Sequence, residues 1–232
     1  MLWWARKLVR LRLIGEITEI RGTSSYELVQ KRGLIPNVFF AHRVYMQHAD
    51  VVKKLGALPQ LKPEVLAAAR GWLRETGLDD CERPLVFVHV RRGDYKFWPT
   101  REHPAILPVA WYQSAMRKMR NVLDDPIFVL VGDDPYYLRD VFEAPDSLVI
   151  SENAPEVDLA LCMLCDHGIL SASSFAWWAA YSTYLDSLQM AGKGGAEHAP
   201  IFFAPEFWGG VRMREWFPMG FKFDWIEYLD LP

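Results

Sequence analysis

From residue 64 onward, apolar runs of strand length alternate with longer stretches of helical character. Residues 64–75 are rich in Glu, Leu, Ala and Arg and predict a helix on propensity. Residues 85–90, Leu-Val-Phe-Val-His-Val, are apolar except for His89, the pattern of a strand buried on both faces of a parallel sheet. A helix over 109–122 follows, then a strand over 127–131, a helix over 135–142 opened by Asp-Asp-Pro, and a strand over 148–150. The alternation continues with an apolar helix over 158–165, a strand over 168–170, a helix over 173–184 and a last strand over 201–204. This order predicts an α/β fold, a Rossmann-like parallel sheet covered by helices. Residues 191–198, Ala-Gly-Lys-Gly-Gly-Ala-Glu-His, read as an exposed loop.

Composition adds limits. With 232 residues, 51% hydrophobic and 14% aromatic, the chain can bury a substantial core as one large domain or two small ones. A net charge of −3 argues against nucleic-acid binding, which rests on a broad field of Lys and Arg. Basic residues must therefore act locally. Cys81, Cys162 and Cys165 are too few, and odd in number, for a disulfide framework. Cys162-Met-Leu-Cys165 lies in an apolar helical setting with no second pair nearby, so core packing is expected rather than redox or zinc chemistry. His167, beside Asp166, reads as structural.

The chain opens Met-Leu-Trp-Trp-Ala-Arg-Lys-Leu-Val-Arg-Leu-Arg-Leu-Ile. Basic residues break every apolar run short of the roughly 18 residues that a spanning helix needs. The charges lie within and after the apolar stretch, unlike a signal peptide. Packing against the fold is the expectation; peripheral contact with anionic lipid through Trp3 and Trp4 is the alternative.

Candidate chemistry gathers at the ends of predicted strands. Parallel sheets bind ligands at their carboxyl edge, where the strand of residues 85–90 gives way to Arg91-Arg92-Gly93-Asp94. Two forked guanidinium groups suit a pyrophosphate, and Gly93 lets the backbone approach a ligand or turn. Ordinary charged residues at a strand exit are the competing reading. The next tip is Gly132-Asp133-Asp134-Pro135. Its carboxylates can accept from guanine N1 and N2 or from sugar hydroxyls, or cap the following helix. The third, Ser171-Ala172-Ser173-Ser174-Phe175, enters a helix whose free amides and dipole suit a phosphate, although simple capping explains it equally well. Three such tips together favour a nucleotide-diphosphate pocket.

His89-Val-Arg-Arg-Gly-Asp94 resembles the His-x-Arg-Arg-x-Asp motif of the α1,2- and α1,6-fucosyltransferase superfamily. The resemblance runs on through His103-Pro104, Leu107-Pro108, Trp111-Tyr112, Pro126 to Val129, Asp158 to Leu161, Cys165-Asp166-His167 and Ser173 to Tyr181. Ala204-Pro205 and Phe207-Trp208 continue it. That order is similar to glycosyltransferase family 11, the α1,2-fucosyltransferases.

The resemblance implies a GT-B enzyme that inverts the configuration of L-fucose as it moves from GDP-β-L-fucose to a glycan hydroxyl, with galactose the expected acceptor and no bound metal or other cofactor. Arg91 and Arg92 would hold the diphosphate, with Arg92 neutralising the leaving charge and His89 bracing the clamp. Ser173, Ser174 and Phe175 would close on it, and Asp133 or Asp134 would read guanine or ribose. Asp94 and Glu102 are level as candidate general bases, ahead of His103. Residues 81–232 would be the donor-binding Rossmann domain and residues 1–80 a shortened acceptor-side region, because the family's glycine-rich opening is absent while residues 33–58 resemble the later part of that half. A donor-binding domain without catalysis, or a transferase of the same fold using another nucleotide sugar, are the alternatives. The implied location is membrane-associated: the Golgi for a eukaryotic source, the cytoplasm or inner-membrane surface for a bacterial one.

Overall fold

The computed structural model describes residues 17–21 and 38–42 by their backbone, and residues 60–142, 147–191, 199–218 and 221–232 in full. The opening of the chain and residues 192–198 lie outside these; of the expected loop over 191–198, Ala191 is helical. The chain divides into two compact units, Met1–Leu55 with Pro218–Lys222, and Gly56–Phe217 with Phe223–Pro232. In the first, strands β1 (Ile17–Arg21) and β2 (Val38–His42) pair in parallel from Ile17 opposite Val38 to Arg21 opposite His42.

The larger unit carries α1 (Pro63–Glu75), β3 (Leu85–Val90), α2 (Val109–Val122), β4 (Ile127–Gly132), α3 (Pro135–Val141), β5 (Leu148–Ile150), α4 (Pro155–Leu164), β6 (His167–Ile169), α5 (Ser174–Ala191), β7 (Phe202–Pro205) and β8 (Glu227–Leu229). Helix α1, upstream of residue 81, thus belongs with the sheet. The strands form one six-stranded sheet in the order β5-β4-β3-β6-β7-β8, and every neighbouring pair is parallel. This is the Rossmann order. The chain runs outward from β3 through β4 to β5, crosses back to β6, and runs outward again on the other side. Its topological switch point is therefore the crevice between the ends of β3 and β6.

All six residues of β3 are buried, as its unbroken apolar run predicts. On one face Val86, Val88 and Val90 pack with Phe128 and Leu130 of β4 against Trp111, Tyr112, Ala115 and Met119 of α2. On the other side of the sheet α1 packs on α4 and α4 on α5. Cys162 and Cys165 are fully packed there as free thiols, and burial raises the pKa of both well above the ordinary thiol value. His167 accepts the Ile201 amide on Nδ1 at 3.0 Å, and Asp166 accepts the Leu85 amide at 2.9 Å. Both therefore tie β6 to its neighbours at the amino edge of the sheet. Among the described residues no helix is long and apolar enough to cross a membrane.

Candidate donor site at the switch point

The switch point is where the predicted residues meet. His89, the next-to-last residue of β3, is buried and its Nδ1 lies 2.8 Å from the Ser171 hydroxyl just beyond β6. One polar contact thus spans the crevice. Burial first, and the nearby Arg91 charge second, lower the His89 pKa to about 3, so the imidazole is neutral at physiological pH. Its ring stacks on Phe175 with centroids 5.0 Å apart. The two sides meet again at Tyr95, whose hydroxyl donates to the Ala172 carbonyl at 2.7 Å.

Beyond β3 the arginines diverge. Arg91 donates to Asp94 Oδ1 through Nη2 at 2.7 Å and Nε at 3.2 Å, and its Nη1 lies 3.3 Å from Asp133 Oδ2. Arg92 donates its backbone amide to Asp133 Oδ1 at 2.8 Å. Its guanidinium carbon lies 3.3 Å from the centre of the Tyr137 ring, and Nε is 3.5 Å from Asp134 Oδ2. That Nε is buried and makes no hydrogen bond within the protein, its nearest acceptor being the Asp134 carboxylate. The cation is therefore held in place by an aromatic face and a carboxylate rather than saturated by them.

Asp133 and Asp134 are both turned to work inside the fold. Asp133 fastens both arginines, and Asp134 accepts the Tyr137 amide at 3.1 Å as the cap of α3. The capping alternative thus holds for Asp134, and Asp133 acts on the arginines themselves. Gly93 fits between these groups because it has no side chain: a Cβ there would lie 2.6 Å from Asp133 Oδ2. Since that carboxylate is pinned from two sides, Gly93→Ala is expected to cost about 1–3 kcal/mol in thermal stability and to weaken ligand binding at the arginines. A melting curve and a ligand titration of the variant check both.

On the far side of the crevice, Ser173 is buried and its hydroxyl accepts the Phe175 amide at 3.3 Å, while its carbonyl accepts from Trp177 as α5 begins. Ser173 is thus spent as a cap, and the exposed Ser174 opens the eighteen-residue helix. The positive end of that helix faces the same crevice edge as the arginines. Glu102 and His103 are not brought into the cluster; both are exposed on the loop before α2, where the His103 amide donates to Thr100 Oγ1 at 3.1 Å.

Several participants carried no sequence signal of a role. Tyr95 and Tyr137 lie against the arginines, yet nothing in Asp-Tyr-Lys or Pro-Tyr-Tyr separates the packed Tyr137 from Tyr136, which is 80% exposed. Tyr112 lies beneath the clamp with its hydroxyl buried and without a hydrogen-bond partner; burial, with the Tyr137, Asp133 and Tyr95 oxygens nearby, raises its pKa above the ordinary phenol value although the Arg91 backbone faces it.

A fourth strand tip adds a buried acid. Ser151, directly after β5, donates from Oγ to Asp158 Oδ1 at 2.5 Å, and Asn153 Nδ2 donates to Ser151 Oγ at 2.8 Å. Desolvation outweighs these hydrogen bonds and lifts the Asp158 pKa from 3.8 to about 6. The folded protein therefore holds this proton more tightly than the unfolded chain. Its contribution is fully favourable below pH 4 and is lost as pH rises through about 6. Asp158→Asn is expected to remove that slope and to raise stability at pH 7 relative to pH 4 by about 3 kcal/mol at most, read from denaturant midpoints across pH.

The comparisons with known proteins bear on the same stretch of chain. Residues 32–199 match the family model described as Glycosyl transferase family 11. Galactoside alpha-(1,2)-fucosyltransferase 1 of Sus scrofa is 34% identical over 118 residues, 47% of this chain and 32% of the relative. Galactoside 2-alpha-L-fucosyltransferase Sec1 of Mus musculus is 29% identical over 153 residues, covering 61% and 39%. Galactoside alpha-(1,2)-fucosyltransferase 1 of Rattus norvegicus is 32% identical over 155 residues, covering 61% and 41%. The chain thus spans about two fifths or less of the length of these relatives. Among solved structures, POFUT1 in complex with GDP-fucose aligns at a TM-score of 0.43 and 10% identity over 86% of this chain and 57% of that one. The family match takes in the arginine strand, the paired aspartates and the serine-led helix in one continuous stretch, and on it the chain belongs to glycosyl transferase family 11.

Proposed function

We propose that the chain transfers L-fucose from GDP-β-L-fucose to the 2-hydroxyl of a galactoside, inverting the configuration at the sugar carbon. The observation that carries this reading is the convergence of Arg91, Arg92 and the α5 amino terminus on the switch point. The names of the three relatives given above, each a galactoside fucosyltransferase, supply the sugar and the linkage.

In the reaction the acceptor oxygen bonds to C1 of fucose as the bond from C1 to the β-phosphate oxygen breaks. The electron pair leaves with GDP, and the acceptor proton passes to a carboxylate. Arg91, Arg92 and the α5 terminus stabilise the diphosphate as it gains charge, the role a divalent cation plays elsewhere, and on this reading no metal takes part. His89, neutral and tied to Ser171, keeps the two sides of the crevice in register. Asp133 and Asp134 brace the arginines and stand beside the position for ribose or base. Asp94 is the better placed of the two proposed bases: both of its bonds to Arg91 fall on Oδ1, at the clamp itself, whereas Glu102 makes no contact with the cluster. A Golgi location goes with this activity in a eukaryotic source.

Incubating the full chain with GDP-fucose and lactose tests the proposal. Equal amounts of GDP and a fucosylated trisaccharide with an α1,2 linkage by NMR are expected. GDP binding with no trisaccharide formed would leave a donor-binding domain without catalysis and overturn the assignment.

A further inference from the structure

A second concavity lies at the amino edge of the sheet, the end opposite the switch point. There the chain leaves α2, α4 and α5 and enters β4, β6 and β7, and the ends of these elements frame a groove of about 880 Å³. Its apolar lining includes the half-buried Met163, Leu164 and Ile201, together with Val122 and Met190, which are 55% and 57% exposed. The two methionines make a surface that adapts its shape to a docked side chain. Exposed apolar groups gathered in one concavity mark an interaction surface, unlike the same groups scattered singly.

The electrostatics of this groove are one-sided. Glu82, Asp124, Asp166 and Asp186 line it as exposed carboxylates. Arg83 is the one arginine or lysine among the described lining residues, and it is spent on Asp125 at 2.9 Å. Glu82, Asp124 and Asp186 by contrast enter no ion pair. Three helices also end at this edge, and the last turns of α4 and α5 hold no basic residue to offset the negative ends of their dipoles. A partner that fits must bring apolar side chains and positive charge together. Residues 1–14 of this chain have that composition: Arg6, Lys7, Arg10 and Arg12 stand among Trp3, Trp4, Leu8 and Leu11, with no acidic residue between them.

We infer that the groove is a dimer interface, in which residues 1–14 of one copy dock in the groove of a second copy and the exchange is reciprocal. Tryptophan and arginine are the side chains that most often anchor such contacts. The rings fill the apolar lining, and the arginine stems lie along it with their charges at the acidic rim. A closed pair related by a twofold axis fills both grooves at once. Docking at the amino edge uses no residue of the donor crevice.

Sedimentation velocity of the full chain over a range of concentrations tests this. A monomer–dimer equilibrium that shifts toward monomer as salt is raised is expected. Asp124→Lys combined with Asp186→Lys, two exposed positions, is expected to raise the dimer dissociation constant about a hundredfold while circular dichroism shows the chain still folded. Arg6→Glu combined with Arg10→Glu is expected to do the same. An equal mixture of the two double variants should dimerise again, because each then offers the other a charge of opposite sign. A wild-type chain that is monomeric throughout, or a dimer that neither double variant weakens, would overturn the inference. Double variants that dissociate separately and fail to pair when mixed would overturn it as well.

Discussion

Arg92→Ala is expected to abolish measurable stabilisation by GDP and to lower fucosyl transfer by about 10²–10³-fold, while the protein remains folded. The side chain is well packed but not part of the core: its guanidinium rests on Tyr137 and lies near Asp134, and its Nε has no hydrogen-bond partner in the protein. Losing the contact with the ring costs about 1 kcal/mol or less, which shifts the melting temperature only modestly. On the proposed function, losing a forked cation at the leaving diphosphate removes stabilisation that is greatest as charge develops, the setting in which single donors are worth about 2.7–4 kcal/mol. Arg92→Lys separates charge from geometry. It keeps the charge but not the planar fork that stacks on Tyr137, so binding and transfer are expected to fall between wild type and alanine. Equal activity of Arg92→Ala and wild type, measured by transfer kinetics and GDP titration, would show that this arginine does not meet the donor.

Trp177→Ala is expected to cause the largest loss of stability in the vicinity of the site, about 3–5 kcal/mol, enough to unfold a marginal protein at 37 °C. Trp177 is completely buried in the first turn of α5, where its ring contacts Trp178, Tyr181, Phe223 and Trp225 at centroid distances of 4.8–6.2 Å. Its amide also donates to the Ser173 carbonyl at 3.0 Å, which joins the aromatic cluster directly to the serine cap at the crevice. Deleting the ring opens a cavity under the turn that presents Ser173 and Ser174. Denaturant unfolding should show the loss, and at a temperature where the variant remains folded its GDP affinity should also fall. Trp177→Phe fills most of the space and is expected to recover most of both.

Much of the fold was legible because each central strand is short, apolar and bounded by polar turns. The strand Leu85–Val90 and the helix Val109–Val122 stand where the pattern predicts them. Helix α5 extends to Ala191, beyond the predicted residue 184, because Leu185, Ser187 and Leu188 continue a helical run that lost its apolar signal to solvent-facing Asp186 and Gln189. Helix α4 begins at Pro155, the first-turn position that proline suits, where the pattern suggested Asp158. Strand β8, Glu-Tyr-Leu, is a three-residue edge strand recognisable only by its pairing with β7. Strands β1 and β2 lie in a stretch where no alternation stood out.

The candidate site was legible as chemistry and not as wiring. Adjacent Arg-Arg, Asp-Asp and Ser-Ser tips follow from strand ends alone. That Asp133 would spend itself on both arginines, or that His89 would reach Ser171 across the crevice, depends on β3 lying between β4 and β6, an ordering that periodicity does not encode.

The measurement that tests the central claim most directly is the thermal stability of the purified chain with GDP, GDP-fucose, UDP and no ligand, with and without EDTA. Stabilisation by both guanine ligands, absent with UDP and unchanged by EDTA, is the predicted result, at about 2.7 kcal/mol when the ligand is present at a hundred times its dissociation constant. Stabilisation by UDP equal to that by GDP, or none by any nucleotide, would contradict a GDP-sugar site at the switch point.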